Sequence, residues 1–150
     1  MDVISDFRGS YFFLSNFYYS PINFDGKTAP TVEHAFQAAK TFNQEQRQSI
    51  LQTPSPAQAK QLGRSVILRE DWEKVKFDIM LMLLKQKFSQ ADLQQKLLDT
   101  GKVELIEGNT WNDKIWGCVL INGQWIGQNH LGKLLMQVRA DIQNKLTLKE

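Results

Sequence analysis

The chain has 150 residues, 42% hydrophobic and 23% charged, with 18 basic against 16 acidic side chains and a net charge of +2. That length fits one domain, residues 1–150, with a real core, and so mild a charge does not by itself argue for nucleic-acid binding. A single cysteine, Cys118, excludes an intrachain disulfide, and with only His34 and His130 beside it no structural zinc site is expected.

The first residues, "MDVISDFRGSYFFLSNFYYS", lack a basic segment followed by an apolar one. The most apolar run, "FDIMLMLL", is too short to span a bilayer. The expectation is a soluble cytoplasmic protein with no membrane contact.

The N-terminal region is aromatic, from Phe7 through Tyr11, Phe12, Phe13, Phe17, Tyr18 and Tyr19 to Phe24. Asp25-Gly26 is a two-residue hairpin turn between short extended segments, so a small antiparallel sheet is expected to open the fold. A helix follows from about Thr31, with Thr31 as its N-cap and Pro30 just ahead. A second helical stretch runs through "NQEQRQSILQ". "SPAQAKQLG" has Ser55 as a cap, Pro56 in the first turn and Gly63 as terminator.

The longest helix is "EDWEKVKFDIMLMLLKQKF", with Trp72, Val75, Ile79, Met82 and Leu83 along one side. Ser89 and Asp92 resemble a capping box for the next helix, which Gly101 ends. "KVELIE" is β-prone, and Asn122-Gly123 marks another hairpin. The chain closes on a helix with Leu131, Leu134, Leu135, Val138 and Ile142 at helical spacing. The order sheet, helices, sheet, helix predicts a helix-dominated α+β fold with a small antiparallel β-sheet.

In "PTVEHAFQAAKTF", Glu33, Gln37 and Lys40 stand at i, i+4 and i+7 and fall on one stripe. Ala35, Ala39 and Phe42 lie opposite. Such a row is ordinarily a solvated helix face. Two features point to a cleft instead: Phe36 borders the row, and the other faces are mostly alanine, which permits close packing. Burial and a nearby cation would lower the Lys40 pKa, and the neutral amine is a nucleophile for a carbonyl-type carbon. Glu33 could then stabilise positive charge or move a proton.

Three other segments carry candidates. Asp113 lies between Trp111 and Trp116, an arrangement suited to a planar heterocycle beside an acid, or to a loop acid near core tryptophans. "GQNHLGKL" matches a phosphate loop except that Leu134 replaces the Ser or Thr that would hold magnesium, which excludes an NTPase. Its glycine-bearing turn, with Asn129 and Gly132, either offers backbone N–H groups to an anion or caps a helix. Ser15 and Asn16 among Phe13, Phe17 and their aromatic neighbours read as a polar pair aimed at a ring edge. Arg64 and Arg69 flank "SVIL", and either is a surface charge or a phosphate contact.

Taken in order, "FFLSNFY", "PTVEHAFQAAKT", "AKQLGR", "REDWEKVK", "LLDTG", "LIEGNTWNDKIWG" and "GQNHLGKLLMQVR" span nearly the whole chain. This set resembles the NADAR superfamily, in particular its compact YbiA-like branch of riboflavin-intermediate N-glycosidases. Tyr19 departs from the Pro or Ser of that family's loop. The resemblance implies an α+β fold and hydrolysis of an N-glycosidic bond to ribose, with no metal and no cofactor. The implied substrates are phosphoribosylamino-pyrimidines of riboflavin synthesis; the alternatives are ADP-ribosyl-guanine in nucleic acid, or an ADP-ribose-binding module without turnover. The catalytic residues it implies are Lys40, Glu33 and Asp113. Substrate contacts are expected from Phe13, Ser15, Asn16, Phe17, Phe36, Gln37, Arg64, Trp72, Trp111, Trp116, Gly117, Asn129, Leu131 and Gly132. Lys40 either forms an imine with the sugar or orients phosphate or ribose for a two-carboxylate mechanism.

Overall fold

The computed structural model describes residues 2–149. In chain order it runs β1 (Val3–Ile4), a 3-10 helix (Gly9–Leu14), β2 (Ile22–Phe24), β3 (Lys27–Ala29), α1 (Val32–Ala39), α2 (Gln44–Leu51), α3 (Pro56–Gly63) and α4 (Trp72–Lys87). Then come α5 (Ala91–Asp99), β4 (Glu104–Leu105), β5 (Val119–Ile121), β6 (Gln124–Ile126) and α6 (His130–Lys149). The architecture is α+β. Its strands form three two-stranded pairs where one small antiparallel sheet was expected: β2–β3 and β5–β6 are antiparallel, and β1 pairs with β4 in parallel.

The backbone clusters into two compact units, one of Asn16–Lys87 and one of the chain up to Ser15 together with the chain from Phe88 onward. In the first, α1 is central: it packs against α2, α3, α4 and the β2–β3 hairpin. All eight of its residues are buried, the polar Glu33, His34 and Gln37 included. The hairpin turns at Asp25 and Gly26, whose φ values of 54° and 75° are those of a two-residue turn with both central residues left-handed. Thr31 caps α1 as expected, its hydroxyl accepting the His34 N–H at 3.1 Å. The same hydroxyl reaches His34 Nδ1 at 2.8 Å, and Nε2 lies 3.0 Å from the Thr53 carbonyl. A carbonyl only accepts, so Nε2 carries the proton and Thr31 donates to Nδ1. Burial lowers the His34 pKa, in keeping with a neutral ring that ties α1 to the segment ahead of α3.

Several local expectations are corrected. Helix α1 stops at Ala39, so Phe42 lies beyond it and is 60% exposed rather than on the helix face opposite the row. Gly63 is the last residue of α3, and Arg64 after it stays right-handed. Its glycine serves a close approach, since a Cβ there would collide with the Gln37 side chain. The buried side of α4 is Trp72, Met80, Leu83, Leu84 and Lys87, while Met82 is exposed. Gln90, not Ser89, is the N-cap residue of α5, and its side chain makes no capping hydrogen bond.

In the other unit α6 packs on β4 and α5, burying Leu131, Leu135 and Val138. Arg139 on α6 is buried too and donates to Thr100 Oγ1 at 2.9 Å and to the Val103 carbonyl at 2.7 Å, closing the turn after α5. Gly101 has φ 66° and its N–H returns to the Leu98 carbonyl, the left-handed stop expected after that helix.

Candidate functional site

The row on α1 survives in altered form. Glu33 and Gln37 are one turn apart, and Gln37 Nε2 donates to Glu33 Oε2 at 2.8 Å. Glu33 is 8% exposed and sits in the first turn of the helix, where the macrodipole favours a carboxylate. Its N–H donates to the Asn16 carbonyl at 3.1 Å, which brings the expected polar loop residue to the start of the helix. Asn16 Oδ1 and Gln37 Oε1 are both buried with no hydrogen-bond partner. Unsatisfied buried acceptors of this kind are uncommon and call for an explanation.

Lys40 is the C-cap residue of α1, half-buried, with its carbonyl accepting the Arg69 N–H at 2.7 Å. Burial pushes its amine below the ordinary lysine pKa; the Glu33 carboxylate opposes that shift, while Arg64, Lys60 and Lys76 reinforce it. The nearby charges come from three helices. Phe36 borders the row against Trp72, with ring centroids 5.0 Å apart and planes tilted by 52°. Phe17 is partly exposed and Arg64 exposed. This unit therefore brings together Glu33, Phe36, Gln37, Lys40, Trp72 and the Asn16 backbone, with Arg64 at electrostatic range. A cavity of about 370 Å³ bordered by Phe24, Ala39, Arg47, Arg69 and Met82 is not lined by the row. Its two guanidiniums are already paired with Asp25 and Asp71.

The other unit holds the second set. Asp113 Oδ1 accepts the N–H groups of Ile115 at 3.0 Å and Trp116 at 2.9 Å, so this carboxylate also builds the turn. Asn109 braces the same loop: its Oδ1 accepts the Asp113 N–H and its Nδ2 reaches the Asp113 carbonyl, both at 2.9 Å. Trp111 is 54% exposed, and Trp116 sits edge-on to His130 at 6.3 Å. Gly117 is required by close approach, because a Cβ would collide with Glu107. Ser15 is partly exposed and its N–H closes the 3-10 helix on the Phe12 carbonyl. Phe13 and Leu131, each 4% exposed, face the core, Phe13 edge-on to Phe88.

The anion expectation for "GQNHLGKL" is corrected. The N–H groups of Gln128, Asn129, His130 and Leu131 donate to the carbonyls of Lys114, Gly117, Ile115 and Trp116. The start of α6 is thus filled by the protein's own backbone. Asn129, at φ 53°, spends its side chain on the Leu105 carbonyl and the Glu107 N–H, both at 3.0 Å. Gly132 lets the helix approach the Leu105 carbonyl. These residues hold the Trp116-Gly117 strand entry in place.

Among the described residues, no group of three or more His, Cys, Asp and Glu side chains is placed to hold a metal ion, and no helix is long and apolar enough to cross a membrane.

The NADAR domain family model matches residues 5–143, across both units. The chain belongs to the NADAR family. It is 44% identical to the N-glycosidase YbiA of Escherichia coli over 131 residues, which cover 85% of this chain and 79% of that protein. An N-glycosidase of Nostoc punctiforme is 39% identical over 140 residues, 89% of this chain and 87% of that one. A riboflavin biosynthesis protein of Vibrio vulnificus is 35% identical over 134 residues, 87% of this chain but 35% of that longer protein. The NMR structure of E. coli YbiA superimposes with a TM-score of 0.82 at 40% identity, covering 97% of this chain and 88% of that one.

The sequence did not single out some of the residues that surround Lys40 and Asp113. Lys60 and Lys76 were not singled out, although Lys60 and Arg64 at i and i+4 were a visible pair. The Asn109 brace had no local signal at all, since its partners are set by the loop's path.

Proposed function

We propose that this NADAR protein is an N-glycosidase that hydrolyses the C–N bond between ribose and an aminopyrimidine, with phosphoribosylamino-pyrimidine intermediates of riboflavin biosynthesis as substrates. The N-glycosidase relatives and the riboflavin biosynthesis relative support the reaction class. One observation carries the mechanism: a half-buried lysine amine, biased toward its neutral form, at the end of a helix whose first turn holds a buried carboxylate.

Glu33 first takes a proton from the Lys40 ammonium; the neutral amine then adds to C1′ as the bond to the base nitrogen breaks, and that nitrogen leaves with the proton now held by Glu33, which returns to its carboxylate form. The sugar ring opens between C1′ and its ring oxygen, which takes the proton lost by the lysine nitrogen. The result is an imine joining Nζ and C1′. Water adds to the imine carbon, the C–N bond to lysine breaks, and ribose phosphate and the free amine are released. Glu33 offsets the positive charge of the protonated imine, and Gln37 holds the Glu33 carboxylate in orientation through its 2.8 Å hydrogen bond. Phe36, one turn before Lys40 on α1, packs on Trp72 and gives the row an apolar border.

Borohydride added during turnover should reduce the imine and leave the sugar attached to Lys40, read as a mass increase on the peptide carrying that residue. Base release without trapping would assign the chemistry to carboxylates alone. Incubation with ADP-ribosylated guanine in DNA beside the phosphoribosylamino-pyrimidine, with released base separated by chromatography, decides between the two substrate classes. A small glycosylated molecule is the partner this reading requires.

A further inference from the structure

Two helices deliver positive charge to the end of α1. Lys60 on α3 and Arg64, the right-handed C-cap residue just after it, stand at i and i+4. That end of α3 is fixed against α1 by the contact of Gly63 with Gln37, directly ahead of Arg64. On α4, Trp72 rests against Phe36, and Lys76 follows one turn later with its stem largely covered and its ammonium held by Glu73 at 2.8 Å. The fields of Arg64, Lys60 and Lys76 all reach the Lys40 nitrogen, and Glu33 is the carboxylate that opposes them. Arg64 is exposed and forms no ion pair among the described residues.

Surface lysines scattered singly need no explanation. Three cations from two helices acting on a fourth are different: Glu33 and Glu73 offset part of that charge, and the exposed Arg64 guanidinium remains for an incoming anion. A phosphate monoester carries about −1.5 to −2 charge at neutral pH and several strong acceptor oxygens. On a ribosyl substrate it lies a few bonds from C1′, so its receptor must stand close to the amine that attacks C1′ without coinciding with it. The cations around Lys40 meet that requirement.

We propose that Lys60 of α3 and Arg64 at its C-terminal cap, supported by Lys76 of α4, form the receptor for the terminal phosphate of the ribosyl substrate. The enzyme thereby selects phosphoribosyl compounds over their unphosphorylated counterparts. This rests on Lys40 being the group that meets C1′. The bound dianion also offsets the cationic imine at that carbon.

The test compares kcat/KM for a phosphoribosylamino-pyrimidine and for its dephosphorylated form, in the wild type and in Lys60→Gln, Arg64→Gln and the double variant. A charge-assisted contact is worth about 1.5–3 kcal/mol, so each single change should lower kcat/KM for the phosphorylated compound by about 10–100-fold. Any loss that follows from the altered field at Lys40 is shared by both compounds, so the readout is the ratio of the two kcat/KM values, which should fall by about 10–100-fold in each single variant and nearly vanish in the double variant. Losses that leave the ratio between the two substrates unchanged, in the single variants or the double variant, overturn the proposal.

A binding readout keeps this separate from the catalytic reading. Ribose 5-phosphate, and not ribose, should raise the Tm of the wild type and leave the double variant unmoved. That result sustains the receptor even if no base is released, in which case the N-glycosidase reading alone falls. If ADP-ribose stabilises the wild type as well as ribose 5-phosphate does, a terminal phosphate is not what the site reads, and the proposal is overturned.

Discussion

Gly63→Ala tests the joint on which the site depends. At the last position of α3, alanine is intrinsically favoured over glycine by about 0.8–1 kcal/mol. In this fold the new methyl group would collide with Gln37 Oε1 and lie 2.7 Å from its Cδ and 3.2 Å from its Cβ. Gln37 is 4% exposed, so it has no open space to turn into. It can yield only by withdrawing its amide from Glu33. Overpacking of this kind costs about 1–3 kcal/mol, and the hydrogen bond to the Glu33 carboxylate is worth about 1.5–3 kcal/mol. These costs overlap, because the side chain that yields is the one that loses the bond. Against the propensity gain, the net expectation is a destabilisation of about 1–3 kcal/mol, and at this chain length a fall in Tm of roughly 3–10 °C. Urea and thermal melts measure it, with kcat/KM falling in parallel as Glu33 loses its donor. The decisive arm is Gln37→Ala, which removes the obstacle. In that background Gly63→Ala should be neutral or stabilising by up to about 1 kcal/mol. A Gly63→Ala protein as stable as the wild type, or one with the same effect in both backgrounds, would refute the joint.

Lys87 is fully buried, and burial brings its amine from 10.5 down to about 7. Between those values the unfolded chain holds a proton that the folded chain lacks. The stability deficit is thus complete below about pH 7 and disappears as pH rises toward 10.5, a span of about 4–5 kcal/mol. Urea midpoints at several pH values should show wild-type stability rising through this window relative to Lys87→Met; parallel curves would contradict it. Glu33→Gln removes the charge that supports the Lys40 ammonium, so the Lys40 pKa should fall further, followed by carbon NMR of its Cε; a rise would reverse the assigned electrostatics. Asp113→Asn keeps the acceptor for Ile115 and Trp116 while removing the charge, so its Tm should stay close to that of the wild type. Asp113→Ala gives up the turn and should lose about 1–2 kcal/mol. Loss of activity in both variants assigns the carboxylate to the chemistry, and loss in the alanine variant alone assigns it to the turn.

What the sequence disclosed was local. The Thr31 and Ser55 caps, the two hairpin turns and the buried leucines of α6 are set within a few residues, and the structure has them where the pattern put them. The pairing of Glu33 with Gln37 was likewise legible, because i and i+4 meet on any helix. Apart from the early end of α1 before Phe42 and the Gln90 start of α5, the failures involve partners distant in sequence. β1 pairs with β4 in parallel across most of the chain, and no turn signal announces such a pairing. On α4 the apolar residues nearly encircle the helix, so periodicity could not choose between Met80 and Met82. Gly63 looked like a helix stop, since a glycine needed for its missing Cβ and one needed for its positive φ are the same letter. "GQNHLGKL" could be read as an anion site or as a helix cap, and what decides between them is the Lys114–Gly117 carbonyls that fill it, which no local reading places there. The same limit explains the site itself. A lysine at the end of an alanine-rich helix becomes an unusual amine because burial removes its water, and Arg64, Lys60 and Lys76, arriving from elsewhere in the chain, add to that shift. The row on α1 states which groups are present, and the packing of α3 and α4 around it decides their chemistry.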